Sequence, residues 1–335
     1  MAGISVRRSL ALAVAALLAA GVVAGCAHRG AAAPLVTAGT LPSASGTLGC
    51  GQHRATGSLQ YTVTVGGRPR VVIVHVPAGY TGSAKVALVL NLHGSESTAR
   101  TQEKFSGMDA VADKDGFIVA YPQALIPGGT GYDWNVAGEP LIDGSLPPAS
   151  AASDVTFLTR LVADLAGRYC INPHRIYATG MSGGGRMASQ LACDASRTFA
   201  AVAPVAGLRF ASPCPGSRAV PVIAFHGTAD PIDPFNGHGK PYWTYSVPAA
   251  ARLWAGHDHC AARPQLTSGS GYLRTAYAGC AGRAAVELYA IRREGHEWPG
   301  GPPMPAAITG VLGPQSDALN ANSLMWAFFE AHPLP

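Results

Sequence analysis

Five residues, Gly180-Met181-Ser182-Gly183-Gly184, follow a short β-rich run at 175–179 and precede a stretch of mostly small and apolar residues that reads as a helix. A strand that turns into a helix this abruptly needs small neighbours on both sides of the turn, because the two elements pass very close together. The residue at the turn is held in strained backbone with its side chain exposed at the sheet edge. Read without its flanks the pentapeptide is only a glycine-rich loop; with them, Ser182 is the leading candidate for a nucleophile.

The rest of the chain supplies the elements such a turn requires. Residues 59–65 and 70–76 are β-rich around Gly66-Gly67, a hairpin signal. Residues 86–92 form a continuous apolar run broken only by Asn91, 102–113 read as a helix, and 117–121 as another buried strand. Ser153 precedes an amphipathic stretch reaching Tyr169. Further buried strands are expected at 200–205, 222–225 and 286–291, and a closing helix at 318–331. Buried strands alternating with helices imply an α/β fold with a mostly parallel central sheet, helices on both faces and an antiparallel edge hairpin. The Gly- and Pro-rich segments 122–152 and 231–258 are long connections of the kind that carry function or move.

The first residues are organised differently. Arg7-Arg8, an apolar run from Leu10 to Val23, and Val23-Ala24-Gly25-Cys26 have the charge, length and small-residue cleavage site of an export signal over 1–25. The last four resemble a bacterial lipobox, in which Cys26 would become a lipid-modified first residue; an ordinary signal peptide with an incidental Cys26 is the alternative. Residues 26–49, mostly Ala, Gly, Pro, Ser and Thr, read as a flexible tether, since they cannot bury enough surface to order themselves. The catalytic domain is then expected over 50–335. Without the leader, 22 basic residues stand against 19 acidic ones, with no basic run or zinc-ligand spacing. This composition gives no reason to expect nucleic acid as a partner. Six further cysteines in a chain with an export signal imply three disulfides. Proximity in sequence favours Cys193 with Cys214 and Cys260 with Cys280, leaving Cys50 with Cys170.

A serine hydroxyl needs a base to take its proton, and that base needs a carboxylate to hold its tautomer. Asp230 comes just after the strand at 222–225, in His226-Gly227-Thr228-Ala229-Asp230. His296 follows the strand at 286–291, in Gly295-His296-Glu297-Trp298-Pro299-Gly300-Gly301. The order Ser, Asp, His is that of α/β-hydrolases. Asp233 is a rival acid three residues on, also before a proline. His93 and His226, in similar His-Gly pairs, read as structural, and His257 and His259 as surface residues. The oxyanion of a tetrahedral intermediate needs N–H donors after the nucleophile and in an early strand-to-helix loop. Gly183 supplies the first. Ser95, or failing it Gly94, supplies the second, in Leu92-His93-Gly94-Ser95.

These motifs, with 117–122 and 176–182, resemble the secreted esterase family of polyhydroxybutyrate depolymerases and feruloyl or acetylxylan esterases, over about residues 50–332. With the lipobox, the chain resembles an actinobacterial lipoprotein esterase. The resemblance implies an α/β-hydrolase fold, a Ser182, Asp230, His296 triad, and hydrolysis of a carboxylic ester, small or polymeric, without metal or organic cofactor. Gly183 stands where the family often has asparagine, and Asp233-Pro234-Phe235 where valine, proline and tyrosine are commoner; both departures bear on substrate. Tyr132, Trp134, Trp243, Tyr245 and Trp298 lie in the long loops or beside His296, where they either form an aromatic platform for substrate or anchor the loops. The expected protein is a monomer, exported, and held at the membrane by its lipid or released. Two other readings remain: acyl transfer to cell-envelope sugars or lipids, and a non-catalytic envelope lipoprotein that binds.

Overall fold

The computed structural model describes residues 49–214 and 217–335. The expected signal peptide, Cys26 and nearly all of the tether lie outside the described residues. Twelve strands are described: β1 (Gly57–Val65), β2 (Arg68–Val76), β3 (Val86–Leu92), β4 (Ile118–Pro122), β5 (Ile126–Gly128), β6 (Gly131–Asp133), β7 (Ile171–Met181), β8 (Ala201–Val205), β9 (Val222–Gly227), β10 (Gln265–Gly269), β11 (Tyr272–Tyr277) and β12 (Val286–Ile291). Ten of them form one sheet in the order β1-β2-β4-β3-β7-β8-β9-β12-β11-β10, and β5 pairs with β6 apart from it. From β4 to β12 neighbouring strands are parallel. β1–β2 and β10–β11 close the two edges as antiparallel hairpins.

Strand alternation divides the core in two. In β3, Leu88, Leu90 and Leu92 point into one cluster while Ala87 and Val89 point into the other. In β9, Val222 and Ala224 are separated from Ile223 and Phe225 in the same way. This period of two on a sheet covered on both faces is why these strands read as unbroken apolar runs. The helices are α1 (Ala99–Ser106), α2 (Asp109–Asp115), α3 (Asp154–Arg168), α4 (Gly183–Asp194), α5 (Val247–His257), α6 (Ala306–Leu312) and α7 (Ala321–Ala331). Phe157, Leu158 and Leu161 of α3, Met187 and Leu191 of α4, and Trp254 of α5 pack into the first cluster. Met325, Trp326 and Phe329 of α7 pack into the second.

The structure refines several expectations. The single helix at 102–113 is two, because Gly107 caps α1 with φ of 58° and donates its N–H to Glu103 O. The connection 122–152 contains the β5–β6 hairpin, and 231–258 contains the whole of α5, capped by Ser246 with Pro248 in its first turn. The second edge hairpin, β10–β11, has no counterpart among the expected strands. The three disulfides are Cys50–Cys170, Cys193–Cys214 and Cys260–Cys280. Among the described residues no helix is long and apolar enough to cross a membrane.

Candidate active site

The candidate residues gather at the carboxyl edge of the parallel strands, where open α/β sheets place their ligands. Ser182 follows β7 and serves as the N-cap residue of α4, with φ of 54° and ψ of −118°. A non-glycine residue in this region costs on the order of 1–3 kcal/mol and persists only where its surroundings fix it. Here they do so through the Ser182 N–H, which donates to Val205 O at 2.9 Å, and Ser182 O, which accepts from Arg186 N–H at 2.9 Å. The turn seen in the sequence is thus a strand-to-helix elbow with the serine at its point.

Asp230 follows β9 and His296 follows β12. His296 Nδ1 lies 2.7 Å from Asp230 Oδ2. A carboxylate only accepts, so the proton is on Nδ1 and Nε2 carries the free lone pair. Asp230 Oδ1 accepts from Ile232 N–H and Asp233 N–H, each at 2.8 Å. The carboxylate thus divides its work, one oxygen closing an Asx turn and the other meeting the histidine. Asp233 is fully buried and its carboxylate oxygens have no hydrogen-bond partner among the described residues. The geometry therefore pairs the histidine with Asp230. His226 also joins this cluster, which its reading as a merely structural residue misses. Its Nε2 lies 2.8 Å from Asp233 O and 3.2 Å from Asp230 Oδ2.

Burial disfavours every charge here, so the partners decide the protonation states. For Asp230, burial pushes the carboxyl up, but the adjoining His296 and His226 outweigh it and hold it well below the usual carboxylate range. For His296, burial opposes the imidazolium, while Asp230 above all, with Asp233 and Glu297, pushes its pKa above the ordinary value. Glu294 and Glu297 flank that histidine with no partner for their carboxylate oxygens among the described residues. Burial raises them to about 9 and about 7, reinforced for Glu294 by the charge of Glu297. The histidine loop is backed by the end of α6 and the residues just after it: His296 N–H donates to Leu312 O at 2.6 Å and Gly295 N–H to Pro314 O at 2.7 Å.

The loop after β3 meets the elbow from the other side. His93 is fully buried. Its Nε2 accepts from Ala124 N–H at 3.0 Å and its Nδ1 lies 2.7 Å from Gly94 O, which fixes the neutral ring with the proton on Nδ1. Burial lowers its pKa to about 4. A Cβ built on Gly94 would lie 3.5 Å from Ser182 Cβ, and one on Gly183 would lie 3.1 Å from Ser95 N. Gly183 is the first residue of α4, so its N–H has no intrahelical acceptor and sits at the positive end of the helix. The Ser95 N–H has no backbone acceptor among the described residues. A small pocket opens beside these two residues, walled by Trp134, Val136 and Leu141 and by Asp133, Glu139 and Arg186.

The aromatic platform needs correction. Trp243 and Trp298 are fully buried, and their indole N–H groups donate to Pro234 O and Asn322 Oδ1, each at 2.9 Å. A ring closed off on both faces cannot stack on a substrate, so these two anchor their loops. Tyr245 is also mostly enclosed, its hydroxyl buried. Trp134 is buried but borders the pocket, with Nε1 donating to His93 O at 2.7 Å. Tyr132, on β6, is 37% exposed. Sequence reasoning missed Glu139, which is buried within a loop that reads as polar and irregular. Arg186 is more visible, as the lone cation in a helix that opens on three glycines.

A family model for esterase PHB depolymerases matches residues 72–238. The putative esterase NocK of Nocardia uniformis subsp. tsuyamanensis is 32% identical over 339 residues, covering 92% of this chain and 94% of that protein. The chain belongs to the esterase PHB depolymerase family. Feruloyl esterase B of Piromyces equi is 31% identical over 239 residues, which cover 68% of this chain but 42% of that longer protein. Among solved structures, the acetyl xylan esterase from Aspergillus awamori superposes with a TM-score of 0.51 at 16% identity, over 68% of this chain and 89% of that one, a likeness of fold. As an esterase of the PHB depolymerase family, the protein is a carboxylic ester hydrolase on an α/β-hydrolase scaffold.

Proposed function

We propose that the protein is an exported serine esterase in which Ser182, His296 and Asp230 act as a triad, with Gly183 and Ser95 N–H groups as the oxyanion site. The observation that carries this is the His296–Asp230 hydrogen bond on the same sheet edge as a serine held in strained backbone. His296 Nε2 takes the Ser182 Oγ proton as Oγ bonds to the ester carbonyl carbon, and the carbonyl oxygen becomes an oxyanion facing the two N–H groups. The bond from carbon to the alcohol oxygen then breaks, and the imidazolium gives its proton to the leaving alcohol. Water repeats the sequence on the acyl-enzyme, passing one proton to His296 and releasing acid and free serine. The narrow pocket beside Ser95 and Gly183 favours a short acyl group. The names of the relatives point to a polyhydroxyalkanoate, or to a feruloylated or acetylated polysaccharide, as the source of the ester.

Three disulfides fit an oxidising compartment outside the cytoplasm, in keeping with the export signal and a lipid on Cys26. The deciding experiment is hydrolysis of p-nitrophenyl acetate through octanoate, and of methyl ferulate, by the mature domain and by Ser182→Ala. The expected result is turnover by the wild type that falls at least about 10³-fold in the variant, with the preferred chain length marking the acyl pocket. Equal rates in both proteins would remove Ser182 from the reaction.

A further inference from the structure

Arg186 stands one turn past Ser182 in α4, and three features of its placement are unfavourable by themselves. Its side chain is 4% exposed. Its Nε is buried with no hydrogen-bond partner among the described residues. It also puts a positive charge in the opening turns of a helix, whose N-terminal end is already positive. Such violations concentrate at functional sites.

The other contacts of the guanidinium point to its use. Nη2 donates to Ser95 Oγ and Nη1 to Glu139 Oε2, each at 3.3 Å, and Cζ lies 4.1 Å from the centre of the Tyr242 ring. Nη2 is 3.4 Å from the position a Cβ on Gly183 would occupy, and that same Cβ would overlap Ser95 Oγ. The missing side chain at 183 is therefore what lets the arginine and Ser95 meet directly behind the two oxyanion donors. The acids that face the guanidinium do not cancel it simply. Glu139 is shared with Arg209, 2.7 Å away, and burial shifts Glu139, Asp233 and Asp133 toward their neutral forms. Burial works against the charge of Arg186 as well, but Glu139 and Asp233 outweigh it and the guanidinium stays ionised.

We propose that Arg186 is a positioning residue for the oxyanion site. By holding Ser95 Oγ it fixes the Ser95 N–H toward the point where the Gly183 N–H also aims, and it supports the developing oxyanion with a fixed cation behind that donor. This inference rests on the serine-esterase reading above. A preorganised charge of this kind acts on the transition state and leaves the neutral ester largely unaffected, so it shows in kcat.

The test uses Ser95→Ala, Arg186→Met, Arg186→Lys and the Ser95→Ala/Arg186→Met double variant of the mature domain. It measures kcat and KM on p-nitrophenyl acetate and inhibition by an alkylboronic acid, which forms a tetrahedral adduct on the serine. Each loss-of-contact variant should lower kcat about 10–100-fold with KM within about 3-fold, and weaken the boronate by a similar factor. The double variant should lose little more than the worse single one, and lysine should recover part of the loss. Wild-type kcat in Arg186→Met, or losses that multiply in the double variant, would overturn the proposal. Should Arg186→Met fail to fold, Ser95→Ala alone decides, since it leaves the Arg186–Glu139 pair in place: unchanged kcat there also overturns it. Ser182→Ala separates the two levels. Activity surviving in it defeats the underlying reading, whereas loss there with full kcat in the Ser95 and Arg186 variants defeats only this inference.

Discussion

His296 can accept a proton only as the neutral imidazole, and the acids around it decide where in pH that form becomes available. Burial would lower its pKa, yet Asp230, Asp233 and Glu297 together raise it above 6.5. A raised pKa keeps the ring protonated to higher pH, so the acid limb of kcat/KM is expected above pH 6.5, with activity rising as the solution becomes more alkaline. In Asp230→Asn the largest raising influence is gone and burial remains. The limb should then move down in pH while kcat falls roughly 10³–10⁴-fold, because the imidazole loses both its tautomer and its counter-charge. A profile of kcat/KM from about pH 5 to 9 for both proteins checks this; an acid limb that stays in place in the variant would detach Asp230 from the base. Asp230 and Asp233 also mark how far sequence reaches at this scale. Both precede a proline and both follow the same strand, so sequence ranks them only by distance from the strand end. What separates them is the turn by which Asp230 Oδ1 takes two backbone N–H groups and leaves Oδ2 for the histidine. His93 and His226 show the same limit. They look alike as His-Gly pairs, yet one braces the β3 loop and the other touches Asp230.

At the scale of elements the elbow depends on how closely β3, β7 and α4 approach. A Cβ on Gly184 would run into the carbonyl oxygen of Leu92 and crowd that of His93 at 2.5 Å, both backbone atoms that cannot swing aside. Gly184→Ala should therefore separate α4 from β3 and cost about 4 kcal/mol or more, with kcat falling in whatever remains folded. Gly256 is the contrasting case. It lies near the end of α5, and a Cβ there would meet nothing within 4 Å, so Gly256→Ala should stabilise the protein by about 0.5–1 kcal/mol. Thermal melts of the two variants in parallel give opposite signs if close approach is what fixes Gly184, and the same sign if it is not. The central strands are legible because strands buried on both faces are continuous apolar runs. The edge is not: β10 is exposed at nearly every position, and its Gln-Leu-Thr-Ser-Gly has neither alternation nor an apolar run. α5 is hidden for a different reason, since its Ser-Val-Pro opening follows a segment, 231–245, whose scattered Pro and Gly read as loop until the cap and the packing of Trp254 are seen.

Across the whole molecule, the site and the start of the described chain lie at opposite ends of β7. Cys50 is bonded to Cys170, immediately before the strand, and Ser182 comes immediately after it. Across the register shift in β7, Ile171 faces Val86 and Gly180 faces Leu92, and those six steps of β3 put roughly 20 Å between the two ends, so the candidate site lies at the opposite end of the strand from the point at which the preceding chain joins the domain. The Cys50–Cys170 bond spans 120 residues, against 21 and 20 for the other two. Closing the longer loop removes more freedom from the unfolded chain, about 5 kcal/mol by the loop-entropy relation against about 3 for each shorter one. Replacing both Cys50 and Cys170 by alanine should thus lower the denaturant midpoint more than replacing Cys260 and Cys280, while the folded protein keeps its kcat because the site lies at the far end of β7. Equal midpoints would mean that hydrogen bonds already hold this end. The candidates are Gly49 N–H to Ala166 O at 3.2 Å, Gly51 N–H to Gly82 O at 2.8 Å and Cys170 N–H to the Tyr80 hydroxyl at 2.8 Å. A lost kcat with an unchanged midpoint would instead show that the disulfide sets the position of β7 itself, and through β7 the strain at Ser182.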